Sequence, residues 1–218
     1  MCNRSCIDFG KSNLREEDIR DKSVIEVGSL DVNGSLRPLV QSSAPSRYIG
    51  VDIQAGPGVD RICKVEDLIA TFGSNSFDLV ICTELLEHVA DWSAAIHNMK
   101  GIVKPGGGLL ITTRSAGFGY HGYPYDFWRY EISDMKAIFS DFEIKSLQGD
   151  PIEPGVLMAA RKPFDFIENN ITNYKLRSIF LNQRASILKN RIYWTAVFLP
   201  LSKLREAGRK IWIKLLKK

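Results

Sequence analysis

Apolar residues along the chain fall into short, β-branched runs separated by helix-length intervals. Ser23-Val24-Ile25-Glu26-Val27-Gly28 has the length and composition of a buried strand, and Gly28 with the polar stretch Ser29 to Ser35 closes it. Arg47 to Asp52, Phe77 to Cys82 and Gly108 to Thr113 repeat the pattern. Before the last of these, Trp92, Ala95, Ile96, Met99 and Val103 recur at helical spacing, and Lys104-Pro105-Gly106-Gly107 stops the helix. Strands without polar alternation, interleaved with helices, predict a doubly wound, mostly parallel α/β sheet of seven strands covered on both faces. Phe142 to Leu147 and Gly155 to Ala160 are joined by a connection too short for a crossover helix. They predict an antiparallel hairpin that closes the sheet near residue 162.

Three segments follow from this pattern. Residues 1–22 are polar and charged and read as a lead-in, residues 23–162 hold the sheet, and residues 163–218 form an extension of two or three appended helices. In that extension Ile171, Tyr174, Leu176, Ile179, Phe180, Ile187 and Leu188 stand among basic and polar residues, and Leu204 to Lys218 is a basic amphipathic stretch.

Charge sharpens the division. The net charge is +4, yet the residues from Asp165 onward carry +9 and those before it −5. A basic tail on an acidic body suggests contact with an anionic surface. One reading is peripheral attachment to the inner membrane surface through Trp194, Phe198, Trp212, Ile213 and Leu216 with their flanking basic residues. The other is a helical cap packed on the domain or on a second subunit. With no recognised RNA module, nucleic acid is not an expected partner. The composition excludes a disordered or disulfide-stapled chain. Cys2, Cys6, Cys63 and Cys82 lack metal-ligand spacing and read as reduced thiols. With no apolar leader and no long apolar run, the expected location is the cytoplasm.

The chemistry concentrates at the strand ends. A glycine after the first strand permits close backbone approach to a ligand, and Asp52 at the end of the second lies where ribose hydroxyls would be bound. Four landmarks stand in order: Glu26-Val27-Gly28 with Gly34; Gly50-Val51-Asp52; Ser76 to Val80 with Glu84-Leu85-Leu86-Glu87-His88-Val89; and Lys104-Pro105-Gly106-Gly107. Through them, residues 22 to 162 resemble the class I S-adenosylmethionine-dependent methyltransferases. The resemblance implies S-adenosylmethionine as cofactor, held by Glu26, Gly28, Asp31, Gly34, Asp52, Ile53, Glu66, Asp67 and Thr83. Two departures stand out: Leu30 and Val32 occupy the usual glycine positions, and Lys64 stands where an acidic residue often meets the adenine, leaving Glu66 or Asp67 for that role.

Acceptor chemistry is expected past the next strand, where Ser115 to Tyr130 packs His121, Asp126, Arg129 and seven aromatic residues into a glycine-rich loop. His121 is a candidate general base, Asp126 its orienting partner or substitute, and Arg129 a clamp for an acceptor carboxylate or phosphate. Tyr123, Tyr125 and Trp128 are candidates for stacking on a sugar or ring. In the bland alternative, Asp126 and Arg129 are a structural ion pair with Phe127 and Trp128 in the core. The segment resembles a loop found in bacterial methyltransferases of surface-glycan and other glycoconjugate pathways, which implies a hydroxyl of a glycan or small metabolite as acceptor. Glu84 and His88 would share a helix face, but no third metal ligand is evident, so a helix-opening hydrogen-bond role is expected and no metal. His97 reads as a surface residue. The absence of Asp-Pro-Pro-Tyr, Asn-Pro-Pro-Tyr and Pro-Cys motifs disfavours DNA base methylation. The competing class is a noncatalytic binding or scaffold member of the fold, motivated by the altered glycine loop and Lys64.

Overall fold

The computed structural model describes residues 3–122 and 125–188. Seven strands form the main sheet: β1 (Ser23–Val27), β2 (Arg47–Asp52), β3 (Arg61–Ile62), β4 (Phe77–Thr83), β5 (Val103–Arg114), β7 (Glu143–Gly149) and β8 (Gly155–Arg161). Their order is β3-β2-β1-β4-β5-β8-β7. The first five run parallel, and β8 pairs antiparallel with both β5 and β7, as the short connection after residue 149 requires. Strand order reverses between β1 and β4, which makes the carboxyl ends of those two strands the topological switch point.

Alternation within the strands supplies a core on each face. Val24, Leu79, Ile81, Leu110, Leu157 and Ala159 form one cluster with Cys6, Phe9 and Ile19. The intervening residues Ile25, Val80, Leu109 and Ile111 are buried too, as are Trp92, Ala95, Ile96, Met99 and Ile102 of helix α5 (Trp92–Ile102), which follows the short helices α3 (Arg37–Ser42) and α4 (Leu68–Phe72). Asp91 caps α5 by accepting from the Ala94 amide at 3.1 Å. The turn at Lys104–Gly107 lies inside β5, where its register with β4 shifts between Phe77 and Leu79.

Two expectations are corrected. Residues 1–22 are no bare lead-in: helices α1 (Arg4–Asn13) and α2 (Glu16–Ile19) fill most of the segment. Asn3 caps α1 through the Cys6 amide, and Cys6, Phe9 and Ile19 sit in the core at 0%, 4% and 1% exposure. Residues 163–188 contain no helix. Instead β9 (Leu176–Ser178) and β10 (Gln183–Ala185) join β6 (Trp128–Arg129) in a three-stranded antiparallel sheet. Leu176 and Ser178 are buried while Arg177 between them is exposed, a period of two that a strand partner stabilises over the helical spacing. The remaining expected helices, and with them Trp194, Phe198, Trp212, Ile213 and Leu216, lie outside the described residues. Among the described residues no helix is long and apolar enough to cross a membrane.

Candidate active site

Register places the predicted cofactor residues along one edge. Val27 pairs with Val51 and with Cys82, so Gly28, Asp52 and Thr83 each stand one residue beyond, side by side at the switch point. Gly28 has φ +78°, and a Cβ there would lie 3.0 Å from the Leu85 Cβ, so the position is both left-handed and closely approached. The Gly28 and Ser29 amides both donate to the Val51 carbonyl, at 2.8 and 3.0 Å, which fixes the start of the loop. Asp52 is partly buried; it accepts from the Leu30 amide at 3.3 Å and the Gln54 amide at 3.1 Å. Ile53 beside it is 53% exposed, an apolar surface at the strand end. Glu66 and Asp67 belong to a 3-10 turn (Val65–Asp67) after β3, with Glu66 half-buried and Asp67 exposed.

The departures from the glycine pattern have a structural answer. The Asp31 carboxylate accepts from the Gly34 amide at 2.9 Å, and the Asp31 amide donates to the Pro57 carbonyl at 2.8 Å. The loop after β2 therefore packs on the loop after β1, and Arg37 ties it down through the Gly58 carbonyl and Asp60. Glu26 is turned inward, accepting from Ser35 and from Tyr48. Burial pushes its carboxyl up, and those hydrogen bonds only partly counter the rise.

Beyond β4 and β5 lies a second, charged cluster that reaches back to Gly28 through Leu85. Glu84 takes φ +52°, which turns the chain sharply after β4 into a 3-10 turn (Leu86–His88). The α-helical face expected for Glu84 and His88 is thus absent: Glu84 pairs with Arg114 of β5, while Glu87 and His88 point into the loop cluster. Arg114 is also 3.1 Å from Glu153. The Cys6 thiol lies 3.2 Å from the Thr112 hydroxyl and 3.6 Å from Glu84, so α1 forms part of this wall.

Glu87 is fully buried, and its Oε2 accepts from the Thr113 hydroxyl at 2.9 Å. Its Oε1 lies 3.5 Å from His121 Nε2 and 3.8 Å from His88 Nε2. His121 Nδ1 meets Asp126 at 2.9 Å, and Asp126 in turn receives two hydrogen bonds from Arg129, at 2.5 and 2.7 Å. Burial disfavours the His121 imidazolium, but the contacts with Asp126 and Glu87 outweigh it and raise its pKa to about 9. Burial lowers that of His88, whose Nδ1 lies against the Tyr125 carbonyl. For Glu87 burial pushes upward, while His121 and His88 together hold the carboxyl at about 2.

His121, Asp126 and Arg129 are therefore brought together as predicted, but their surroundings differ from those expected. Both ring nitrogens of His121 face carboxylates. Arg129, 2% exposed, spends its remaining donors on the Phe118, Gly119 and Trp128 carbonyls and has none directed at an acceptor. Trp128 is fully buried, its indole donating to the Val89 carbonyl at 3.0 Å, so it offers no stacking surface. Tyr125 stacks on Phe127 with centroids 5.5 Å apart, and Tyr123 lies outside the described residues. His97 is exposed and pairs with Glu168. Sequence reasoning gave Glu87 no partner and missed Arg114 and Cys6 at this edge. The Glu-x-x-Glu-His spacing was the available signal, but it could not show which loop would face it.

Residues 3–148 match the model of a family described as a methyltransferase domain. The chain belongs to that family. Within it, the methyltransferase is 45% identical over 62 residues to a ubiquinone biosynthesis O-methyltransferase of Xanthomonas axonopodis pv. citri (strain 306), covering 28% of this chain and 26% of the relative. It is 30% identical over 97 residues to a protein of the same name from Coxiella burnetii (strain Dugway 5J108-111), covering 44% and 38%. These matches span about a quarter to two fifths of the curated relatives' length. The 1,6-didemethyltoxoflavin-N1-methyltransferase of Burkholderia thailandensis, solved with bound 1,6-didemethyltoxoflavin and S-adenosylhomocysteine, superimposes with a TM-score of 0.58 at 14% identity, covering 73% of this chain and 79% of that one. That likeness concerns the fold. S-adenosylmethionine is the cofactor to which family and fold point, and the residues fit it: a left-handed glycine closely approached by Leu85, an acidic strand end and an exposed apolar neighbour share one edge.

Proposed function

We propose that this methyltransferase transfers the methyl group of S-adenosylmethionine to a hydroxyl oxygen of a small metabolite or glycan. The observation that carries this reading is the juxtaposition at the switch point: Gly28, Asp52 and Thr83 in line, and the Glu87–His88–His121 cluster joined to them through Leu85. The cofactor, when bound, supplies a methyl group already activated on a sulfonium. This chain then has to hold the cofactor, align the acceptor oxygen and manage its proton. Gly28 gives the cofactor close backbone approach, Asp52 offers carboxylate lone pairs to ribose hydroxyls, and Ile53 presents an apolar face. The charged cluster, shielded by α1 and by residues 115–122 and 125–130, provides polar groups next to the acceptor. The O-methyltransferase relatives support oxygen as the attacking atom. Buried free thiols at Cys6, Cys63 and Cys82 accord with a reducing compartment, and we place the protein in the cytoplasm.

The packed loop over Asp31 favours a second reading, a binding member of the fold without turnover. Calorimetry with S-adenosylhomocysteine separates the two from a fold that has lost its cofactor. The protein is expected to bind, and Asp52→Ala to weaken binding by about 1.5–3 kcal/mol, the value of a hydrogen bond to a charged group. Equal affinity of both proteins refutes the cofactor assignment. Binding without label transfer from methyl-tritiated S-adenosylmethionine to any hydroxyl acceptor in a broad panel favours the second reading.

A further inference from the structure

We propose that Glu87, His88 and His121 form a binding site for one divalent transition-metal ion of the zinc, cobalt or ferrous type. One ligand atom from each lies within 4.8 Å of the others. Around an ion with bonds of ~2.0–2.1 Å, tetrahedral ligands stand ~3.4 Å apart. The separations of 3.5 and 3.8 Å from Glu87 Oε1 to the two imidazole Nε2 atoms are close to that spacing.

The surrounding groups orient the ligands as metal sites require. Each histidine is held by its far nitrogen, His121 Nδ1 by the Asp126 carboxylate and His88 Nδ1 by the Tyr125 carbonyl, so that each Nε2 is the nitrogen left facing Glu87. Asp126 is itself fixed by Arg129, and Glu87 Oε2 by Thr113. Glu87 Oε1 is fully buried and receives no well-aligned hydrogen bond, so its charge is met only through the two imidazole nitrogens at 3.5 and 3.8 Å, and an ion between the three atoms would replace the proton that His121 otherwise carries there. Two imidazoles and one carboxylate suit a borderline ion rather than magnesium or calcium, which favour all-oxygen sets. Both histidines keep some exposure, 11% and 20% of the side chain, while Glu87 has none, which leaves the outer side for a further ligand such as water or an acceptor oxygen.

The test uses the full chain, freed of any affinity tag and stripped with a chelator. Titration with Co2+ followed by visible absorption, and with Zn2+ by calorimetry, is expected to show one ion per chain and a rise in Tm. His88→Ala and His121→Ala are each expected to abolish the visible band, and Asp126→Asn to weaken binding by about 10–100-fold, as loss of an orienting partner does. His97→Ala, at an exposed histidine outside the cluster, is expected to change nothing. If a cluster variant fails to fold, the wild-type cobalt spectrum and thermal shift still decide. No stoichiometric binding by the wild type overturns the proposal, and so does binding that survives both histidine substitutions or is lost in His97→Ala. None of these readouts depends on methyl transfer, so the site can fail while the methyltransferase reading stands, and the reverse.

Discussion

Replacing Lys100 with methionine tests the packing that holds α5 against the far side of the fold. The ammonium is completely buried at the end of α5. It donates to Asp141 Oδ1 and Oδ2 at 2.9 and 2.6 Å, to the Ile138 carbonyl at 2.7 Å and to Asn169 Oδ1 at 2.9 Å. Methionine keeps most of the volume, so the cavity contribution is small and the loss is electrostatic. It leaves the Asp141 carboxylate, 3% exposed, without its cation, an event that costs about 3–5 kcal/mol. The Asn169 amide still donates to Asp141 at 3.0 Å, which argues for the lower part of that range. For a chain of this size the Tm should fall by roughly 2–4 °C per kcal/mol, or about 6–16 °C for a loss of about 3–4 kcal/mol. Urea unfolding followed by tryptophan fluorescence supplies the free energy. A cycle with Asp141→Leu separates the pair from its surroundings: the double variant should recover much of the loss, with a coupling of at least ~2 kcal/mol. A cost below about 1 kcal/mol for Lys100→Met, the range of exposed pairs, would refute the reasoning, as would strictly additive single substitutions.

Three further outcomes are expected. Phe9→Ala should cost about 3–5 kcal/mol in urea unfolding, because Phe9 is a core residue of α1 at 4% exposure; a loss under 1 kcal/mol would return residues 1–22 to the status of a loose lead-in. Gly28→Ala should lower stability by about 1–3 kcal/mol for the left-handed backbone and weaken S-adenosylhomocysteine binding, with unchanged calorimetry counting against the assigned edge. Burial pushes Asp78 upward, but Lys104 at 2.8 Å and the Ser23 amide and hydroxyl hold its carboxyl at about 2, below its unfolded value. Its contribution, at most about 2 kcal/mol, is therefore complete above roughly pH 4 and lost as the pH falls through 2. Asp78→Asn should remove that part of the acid sensitivity, and an unaltered acid profile would contradict it.

The centre of the sheet was legible because its parallel strands are buried on both faces and so appear as near-continuous apolar runs, as in Leu79 to Cys82 and, with Glu26 as the one polar residue, Val24 to Val27. The antiparallel end was legible for a different reason: the connection between Gly149 and Gly155 leaves no room for a crossover. α1 was hidden because its buried stripe, Cys6, Phe9 and Gly10, is narrow and partly made of small residues, so that charge dominates the segment. At Gly10 smallness itself is the fit, since a Cβ would lie 2.4 Å from Leu36 Cδ2. Residues 169–188 misled in the opposite sense. Ile171, Tyr174, Leu176 and Ile179 have helical intervals, but Trp128 and Arg129 present backbone groups that Leu176 to Ser178 can pair with, and a local preference yields to a strand partner.

At the site, chain order is sufficient to gather the candidate cofactor residues at one edge, because in a doubly wound sheet the strand ends meet at the reversal of order. The acceptor side depends on meetings that no spacing encodes. His121, Asp126 and Arg129 are neighbours in sequence and were grouped for that reason, yet their chemistry is decided by Glu87 across β5. With Asp126 alone, His121 would keep Nε2 available as a proton acceptor, and the general-base reading would follow. With Glu87 on the other side, 3.5 Å away, the same ring sits between two carboxylates and the pocket favours a positive charge there. The sharp turn at Glu84 sends Glu87 toward that ring, so a left-handed residue just past β4 places a second carboxylate beside the candidate base.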